Sequence, residues 1–435
     1  MNLGLSDRRP ETRKILVTGP LSLVPLHMAQ KEEIFVGIDI GTSKTATVVG
    51  KREKEDHLSI IGVGVSHISG LKKGSVAEIE EVVSGISESV EIAERMAGVD
   101  INCGTVNING AHIASTNSNG VVGVGRADQQ ITQDDVARAE DAAQAVQISP
   151  NKEILHVFPR FYKVDDEEGI KDPIGMNGIR LEVETHIVAV RSQDSKNLHQ
   201  CLNQAGIKIQ DEIATPIASA KAVAKKRQLD LGCAVVDIGA ATTGLSVFED
   251  GALFYTRVLP IGGDFITNDV NIGLRTTIDV AEKVKLRYGH VDHKKVSEKE
   301  KIDLSEVDIK EEGVVSRRHV AEIIEDRFEE IMKMVREELK KIGKEALIPA
   351  GVILTGGTAQ LPGAEEKAKT TLKLPVEIGK PHNLFGMVDK VYDPTMSAAV
   401  GLLLYNFEEA GKNSRPSSTA PIIHKVKKIF KIFLP

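Results

Sequence analysis

The chain has 435 residues, 41% hydrophobic and 27% charged, with a net charge of −7 at neutral pH. At roughly 150 residues per domain this length implies about three domains with sizeable cores, and the apolar content excludes a disordered chain. The acidic balance argues against nucleic acid as the main partner.

Residues 1–28 carry Arg8, Arg9, Arg13 and Lys14 ahead of an apolar run broken by Pro20 and Pro25. That pattern is expected to be a disordered extension, or sequence upstream of a true start at Met28, rather than a signal peptide. No apolar run reaches the ~20 residues needed to span a bilayer. From there strand-like and helix-like segments alternate. Ile34–Ile40, Ala46–Gly50, Val106–Asn109, Val188–Val190, Ala234–Ile238, Leu245–Phe248 and Gly351–Leu354 read as strands. Val76–Ala97, Lys196–Ala205, Pro216–Lys226, Thr277–Tyr288 and His319–Ile342 read as helices. The mixture predicts an α/β architecture. Three widely spaced cysteines, Cys103, Cys201 and Cys233, cannot form a disulfide framework or a four-ligand zinc site, so a reduced, cytoplasmic protein is expected. The histidines form no metal-ligand spacing.

One internal repeat organises the reading. Val36-Gly-Ile-Asp-Ile-Gly-Thr-Ser-Lys-Thr-Ala-Thr-Val-Val49 matches Ala234-Val-Val-Asp-Ile-Gly-Ala-Ala-Thr-Thr-Gly-Leu-Ser-Val247. Each is an apolar strand, Asp-Ile-Gly, a short turn and a second strand, which predicts two similar domains facing each other with a ligand site between them. In each hairpin an Asp ends a buried strand, where a lone carboxylate is costly unless it meets a cation. Asp39 and Asp237 are therefore expected to hold Mg²⁺, largely through waters. Gly41 and Gly239 let backbone approach a ligand, and Thr42, Ser43, Lys44, Thr45, Thr242 and Thr243 are placed to donate to phosphate oxygens. A P-loop is excluded, because Gly does not precede Lys44 and Ala46-Thr-Val-Val49 is β-branched and strand-like.

A third element, Val352-Ile-Leu-Thr-Gly-Gly-Thr358, runs a buried strand into Gly356 and Gly357, leaving a flat surface for an adenine ring or ribose. At the far end, Lys412 to Pro435 contains six basic residues and no acid, which leaves −13 on the rest of the chain. Glu408–Pro421 has the composition of a flexible linker of about 14 residues with a reach of roughly 20 Å. Ile422, Ile423, Val426, Ile429, Phe430 and Phe433 then recur at helical spacing, with Lys425, Lys427, Lys428 and Lys431 between them. A helix over 422–434, about 20 Å long, is too short to cross a bilayer and suits its surface, each lysine adding about 1 kcal/mol near anionic lipid.

The two phosphate hairpins and the Ile-Leu-Thr-Gly-Gly turn resemble the actin, heat-shock-chaperone and sugar-kinase superfamily. Within it, Leu155-His-Val-Phe-Pro159, Gly169-Ile-Lys-Asp-Pro-Ile-Gly-Met-Asn-Gly-Ile-Arg180, Gly232-Cys-Ala-Val-Val-Asp-Ile-Gly239 and the basic tail resemble the bacterial cell-division FtsA family. The resemblance covers nearly everything from Met28 onward. It implies a two-lobed actin-like fold of duplicated ribonuclease-H-like halves. Its subdomains would be 1A (29–111 and 189–229), an FtsA-type inserted 1C (112–188), 2A (230–271 and 347–407) and 2B (272–346), ahead of the linker (408–421) and the membrane helix (422–435). It also implies ATP as ligand, with Gly262 and Gly263 on the phosphate side and Glu282 and Lys285 reaching the ribose and base. Arg317, Arg318 and Arg327 on the 2B helix would meet the acidic C-terminal peptide of FtsZ. Self-assembly into filaments, contacts with other division proteins and a place on the cytoplasmic face of the membrane at the division site are implied in the same way. Thr215 stands where hydrolytic relatives carry an acid or amide before Pro, so Asp39 or Asp237 would have to orient the attacking water as the catalytic residues, and at most slow ATPase activity is expected. The alternatives are the actin-like cytoplasmic component of a type IV pilus or secretion machine and, further off, a sugar kinase or a chaperone-like ATPase.

Overall fold

The two repeated segments form hairpins of identical pairing. In the computed structural model, which describes Met1 and residues 33–53, 57–125, 128–145 and 148–413, the strand Ile34–Ile40 pairs antiparallel with Lys44–Arg52, ending at Ile40 opposite Thr45. Cys233–Ile238 pairs the same way with Thr243–Glu249, ending at Ile238 opposite Thr243. Both first strands are covered on both faces, which is why they read as continuous apolar runs. The N-terminal extension and the membrane helix expected from the sequence lie outside the described residues.

Each hairpin sits at the centre of its own sheet. The first sheet runs Lys208–Ala214, Cys103–Ile108, Ile34–Ile40, Lys44–Arg52, Leu58–His67, Phe385–Gly386. The second runs Ala252–Leu259, Thr243–Glu249, Cys233–Ile238, Val352–Thr355, Val376–Ile378. In both, the Asp-bearing strand takes a parallel neighbour on its other side. Two large apolar cores result, one centred on each sheet. Between strand Cys103–Ile108 and helix Ser192–Gln204 a third sheet is inserted, ordered Ala114–Gly123, Arg180–Arg191, Lys152–Val164, Glu167–Ile170, with helix Gln133–Ala143 against it and a small core of its own.

Two helices join the lobes at the centre. Thr215–Val223 packs against the C-terminal helix Ser397–Asn413 so closely that a Cβ on Gly401 would fall 1.7 Å from the Ala218 carbonyl oxygen. On its other side, a Cβ on Gly244 would lie 2.8 Å from the Pro216 ring. The expected single helix Pro216–Lys226 is in fact two, Thr215–Val223 and Lys226–Leu231, because Ala224 and Lys225 are extended.

The linker begins later than expected. Residues 408–413 continue the last helix rather than opening a flexible segment. Phe407 meets Phe35 edge-on at 5.3 Å with the Arg52 guanidinium over its ring, and Glu408 pairs with Lys221 at 2.6 Å. These contacts carry the helix past the point where composition alone turns polar. No helix among the described residues is long and apolar enough to cross a membrane.

Candidate functional site

The two hairpin turns face each other across a cleft of about 410 Å³, within the range of small-molecule sites. The turns close alike, Gly41 N–H donating to the Lys44 carbonyl at 3.0 Å and Gly239 N–H to the Thr242 carbonyl at 2.9 Å. Asp39, Gly41, Thr42, Ser43 and Lys44 line one wall. Asp237, Gly239 and Thr242 line the other. Gly356, Gly357, Thr358 and Gly263 close the end.

Three expected contacts are not in the cleft. Thr45 and Thr243 occupy matching register positions at the starts of the second strands and are fully buried. Strand alternation turns them away from the turn, and the Thr243 hydroxyl is spent on the Ile261 carbonyl at 2.8 Å. Gly262 supports the turn instead of lining the cavity: a Cβ there would lie 2.5 Å from the Ala240 carbonyl oxygen. The N–H of Gly263 is likewise bonded to the Gly239 carbonyl at 2.9 Å.

The electrostatics are those of a cation site. Burial, reinforced by the charge on Asp237, pushes the Asp39 carboxyl up to about 7 against the pull of Lys44. Burial also raises Asp237, opposed by a hydrogen bond from Ser219 and by Lys44. Lys44 is itself lowered by burial, although Asp39, Asp393 and Asp237 all favour its charged form. Two carboxylates and one ammonium thus share a poorly hydrated space. A hard divalent cation such as Mg²⁺ fits this donor set, since it needs few protein oxygens and keeps waters and phosphate oxygens in its shell. Among the described residues no group of three or more His, Cys, Asp or Glu forms a closed protein cage.

Beside Gly263, whose carbonyl lies 3.4 Å from the Lys285 Nζ, the cleft holds Lys285 and Glu282, placed by helix Ile278–Tyr288. Lys285 is buried, its Nζ 2.8 Å from Thr267 Oγ1 and 2.6 Å from Glu282. Lys285 therefore looks into the cavity, while Glu282 lines its rim and stays part-exposed. Gly356 has φ +86°, and a Cβ there would fall 2.3 Å from Asp237 Oδ1, so only glycine leaves the passage between carboxylate and end wall open.

Sequence reasoning missed the polar floor. Asn107 donates to Asp39 at 2.7 Å and to Thr215 Oγ1 at 3.0 Å, and Asn109 donates to Thr242 Oγ1 at 3.0 Å. The available signal was a pair of asparagines in an otherwise apolar strand, Val106-Asn-Ile-Asn109. The Thr215 hydroxyl gives its own proton to the Ile108 carbonyl at 3.2 Å, which leaves it no character as a base. Away from the cleft, each expected partner-binding arginine already has an acid. Arg317 pairs with Glu300 at 2.5 Å, Arg318 with Glu298, and Arg327 reaches both oxygens of Asp269 at 2.6 and 3.1 Å.

Two facing sheets with duplicated Asp-bearing hairpins, joined by paired helices under the cleft, define an actin-like α/β protein. Solved structures agree at the level of the fold. PilM in a PilM–PilN type IV pilus biogenesis complex superposes with a TM-score of 0.62 at 17% identity, covering 86% of this chain and 98% of that one. MreB5 of Spiroplasma citri bound to ADP gives 0.52 at 14% identity, covering 88% and 98%. The sequence is more selective. The family model described as cell division protein FtsA matches residues 234–401, and that for the SHS2 domain inserted in FtsA matches residues 110–189, which hold the third sheet. Cell division protein FtsA of Pseudomonas aeruginosa is 37% identical over 409 residues, 92% of this chain and 98% of its own. That of Bacillus subtilis is 39% identical over 373 residues, 86% and 83%. That of Escherichia coli K12 is 32% identical over 405 residues, 92% and 95%. The chain belongs to the FtsA family of cell division proteins. The pilus component shares its fold at far lower identity.

Proposed function

We propose that this protein is an ATP-binding scaffold that ties FtsZ filaments to the cytoplasmic face of the membrane at the division site. The observation that carries the reading is the pair of facing hairpins, with Asp39, Asp237, Lys44 and Lys285 lining the cleft. ATP with Mg²⁺ would supply the negative phosphates and the divalent cation that this constellation is short of. Lys44 then neutralises phosphate charge, and the two aspartates hold the cation through waters. Thr42, Ser43 and Thr242 orient phosphate oxygens, and Glu282 with Lys285 grips the ribose and base. Binding both lobes at once favours the closed form, a population shift rather than work per cycle. With Thr215 unable to activate water, turnover is slow.

The remaining attachments follow the family. Residues 422–434 would lie on anionic lipid, and several copies along a self-assembled filament would make that attachment stable. Helix Arg317–Lys341 is the proposed surface for the acidic FtsZ peptide. Arg318 pairs with the exposed Glu298, an interaction worth about 0–1 kcal/mol, so it exchanges partners readily, whereas Arg317 is also fixed by the Tyr288 carbonyl at 2.9 Å. Arg327 is more firmly held by Asp269. Other division proteins would join the same assembly.

Co-sedimentation with anionic liposomes and FtsZ tests the scaffold, comparing the full chain with one ending at Asn413. Lipid recruitment should vanish on truncation while FtsZ binding in solution persists; unchanged recruitment would refute the tether. In parallel, Asp39→Ala/Asp237→Ala protein should lose magnesium-dependent affinity for ATP.

A further inference from the structure

Asp39 and Asp237 are each gripped from the protein side by a neutral hydrogen-bond donor, and one helix links the two donors. Asn107 is 1% exposed. Its Nδ2 donates to Asp39 Oδ1 at 2.7 Å while its Oδ1 accepts the Ile40 N–H at 2.7 Å, so the carboxamide is held at both ends. The same Nδ2 reaches Thr215 Oγ1 at 3.0 Å. Thr215 opens the helix Thr215–Val223. Ser219, four residues on and so on the same face, is fully buried and donates to Asp237 Oδ2.

The spacing between these two grips is set by the pitch of a helix that cannot slide. Gly401 meets its backbone at Ala218 and Gly244 meets its Pro216 ring, so it is held from two sides. The chemistry of the donors matters as much as their place. A lysine or arginine would orient a carboxylate and cancel its charge together. An amide and a hydroxyl orient it and leave the charge for something else. Lys44, whose charge favours the ionised form of both aspartates, approaches from the cleft side, on the first hairpin turn.

We propose that Asn107 and Ser219 are positioning residues that aim Asp39 and Asp237 at one shared divalent cation. The assignment rests on the nucleotide-clamp reading and names the parts that give the clamp its metal dependence. Outer partners that orient metal-binding carboxylates typically contribute 10- to 100-fold to metal affinity.

The test uses the full chain and a fluorescent ATP analogue, with affinity measured in Mg²⁺ and again in EDTA. Ser219→Ala removes a single oxygen. Asn107→Leu keeps the number of side-chain heavy atoms and removes all the hydrogen bonds of the carboxamide. Each variant should lose about 10-fold or more of the affinity gained from Mg²⁺ while its affinity in EDTA stays within about twofold of the parent. A Mg²⁺ gain equal to the parent's would overturn the assignment, as would an equal loss in both buffers, which is the mark of a merely structural role. Thermal melting run alongside identifies a folding failure, and Ser219→Ala, which opens almost no cavity, carries the test if Asn107→Leu does not fold. A parent protein that gains nothing from Mg²⁺ would overturn the clamp reading and this assignment with it. A parent that gains with indifferent variants overturns this assignment alone.

Discussion

Asn109 donates a hydrogen bond to Thr242 at 3.0 Å, tying the last residues before the inserted sheet to the second hairpin turn. Because Thr242 Oγ1 accepts this bond, its own proton is left to point into the cleft, where a phosphate oxygen would take it. The contact is also a direct polar link between the two lobes at the floor of the site. Asn109→Ala removes it and leaves every proposed phosphate donor, Thr242 included, with its own hydroxyl or ammonium in place. A neutral hydrogen bond contributes about 0.5–1.5 kcal/mol net, so release of a fluorescent ATP analogue should accelerate about 2- to 10-fold in stopped-flow measurements. An unchanged release rate would mean that the lobes are held by other contacts.

The cleft is expected to lower the stability of the empty protein. Asp39 sits at about 7 in the folded chain against an ordinary value of 3.8. Between those two pH values the folded protein keeps a proton that the unfolded chain has released. Its contribution therefore falls as pH rises through the window, and the full penalty applies above 7. Asp39→Asn keeps the shape and the hydrogen bond from Asn107 but removes the charge. The nucleotide-free variant should melt about 2–5 °C higher than the parent at pH 8, with the difference fading toward pH 4. The same variant should bind magnesium nucleotide more weakly. A lower melting temperature at pH 8 would contradict the burial argument.

How much of this was legible in the sequence depended on whether a residue's role is local. Ile34–Ile40 and Cys233–Ile238 announce themselves as apolar runs, and their repetition gave the two-lobed plan, because a strand covered on both faces must be apolar throughout. The Asp-Ile-Gly turns located the cleft for the same reason. Thr45 and Thr243 carry donor hydroxyls but lie on the buried face, because two-residue alternation turns every second side chain of a strand inward. Asn107 stands out as a polar residue in an apolar strand, but its pairing with Asp39 and that of Ser219 with Asp237 span 68 and 18 positions and are made only by the folded sheets. Residues 408–413 look like linker in composition, yet tertiary contacts of Phe407 and Glu408 keep them helical.

Two buried histidines set the acid limit. Burial holds His156 and His186 down near 3, and the Arg160 charge adds to the effect at His186. Below the ordinary value of 6.5 the unfolded chain binds protons that the folded one refuses, so stability falls as pH drops from there toward 3. A His156→Gln/His186→Gln variant lacks this penalty, whatever packing it loses at neutral pH. Its stability deficit relative to the parent in urea titrations should shrink between pH 7.5 and pH 5 by about 2 kcal/mol for each histidine. A deficit independent of pH would show that the imidazoles titrate in the fold as they do in the unfolded chain, and would refute the burial penalty.

Arg160 joins the inserted sheet to the second lobe, and its loss should loosen that joint specifically. Its guanidinium is nearly buried, paired with Glu184 beside it and with Glu249 of the second lobe at 3.2 Å, and it lies 4.7 Å from the Phe254 ring. Nearby, Ser115 donates to the Thr256 carbonyl at 2.7 Å and accepts the Thr256 N–H at 3.2 Å, so the inserted sheet also covers the open edge of strand Ala252–Leu259. Arg160→Met keeps the aliphatic stem and removes both ion pairs. Glu184 and Glu249 are 40% and 34% exposed, and Glu249 retains Lys344, so neither acid is stranded as a fully buried one would be. The expected loss is therefore about 1–3 kcal/mol, below the 3–5 of a sealed pair. Amide exchange should speed up along Ala252–Leu259 and leave Ile34–Ile40 unchanged. Glu184→Gln, which disturbs only a half-exposed acid, should cost less than about 1 kcal/mol and leave that exchange alone. If Glu184→Gln matched Arg160→Met in both readouts, the joint would belong to the inserted sheet's own stability and not to its docking on the second lobe.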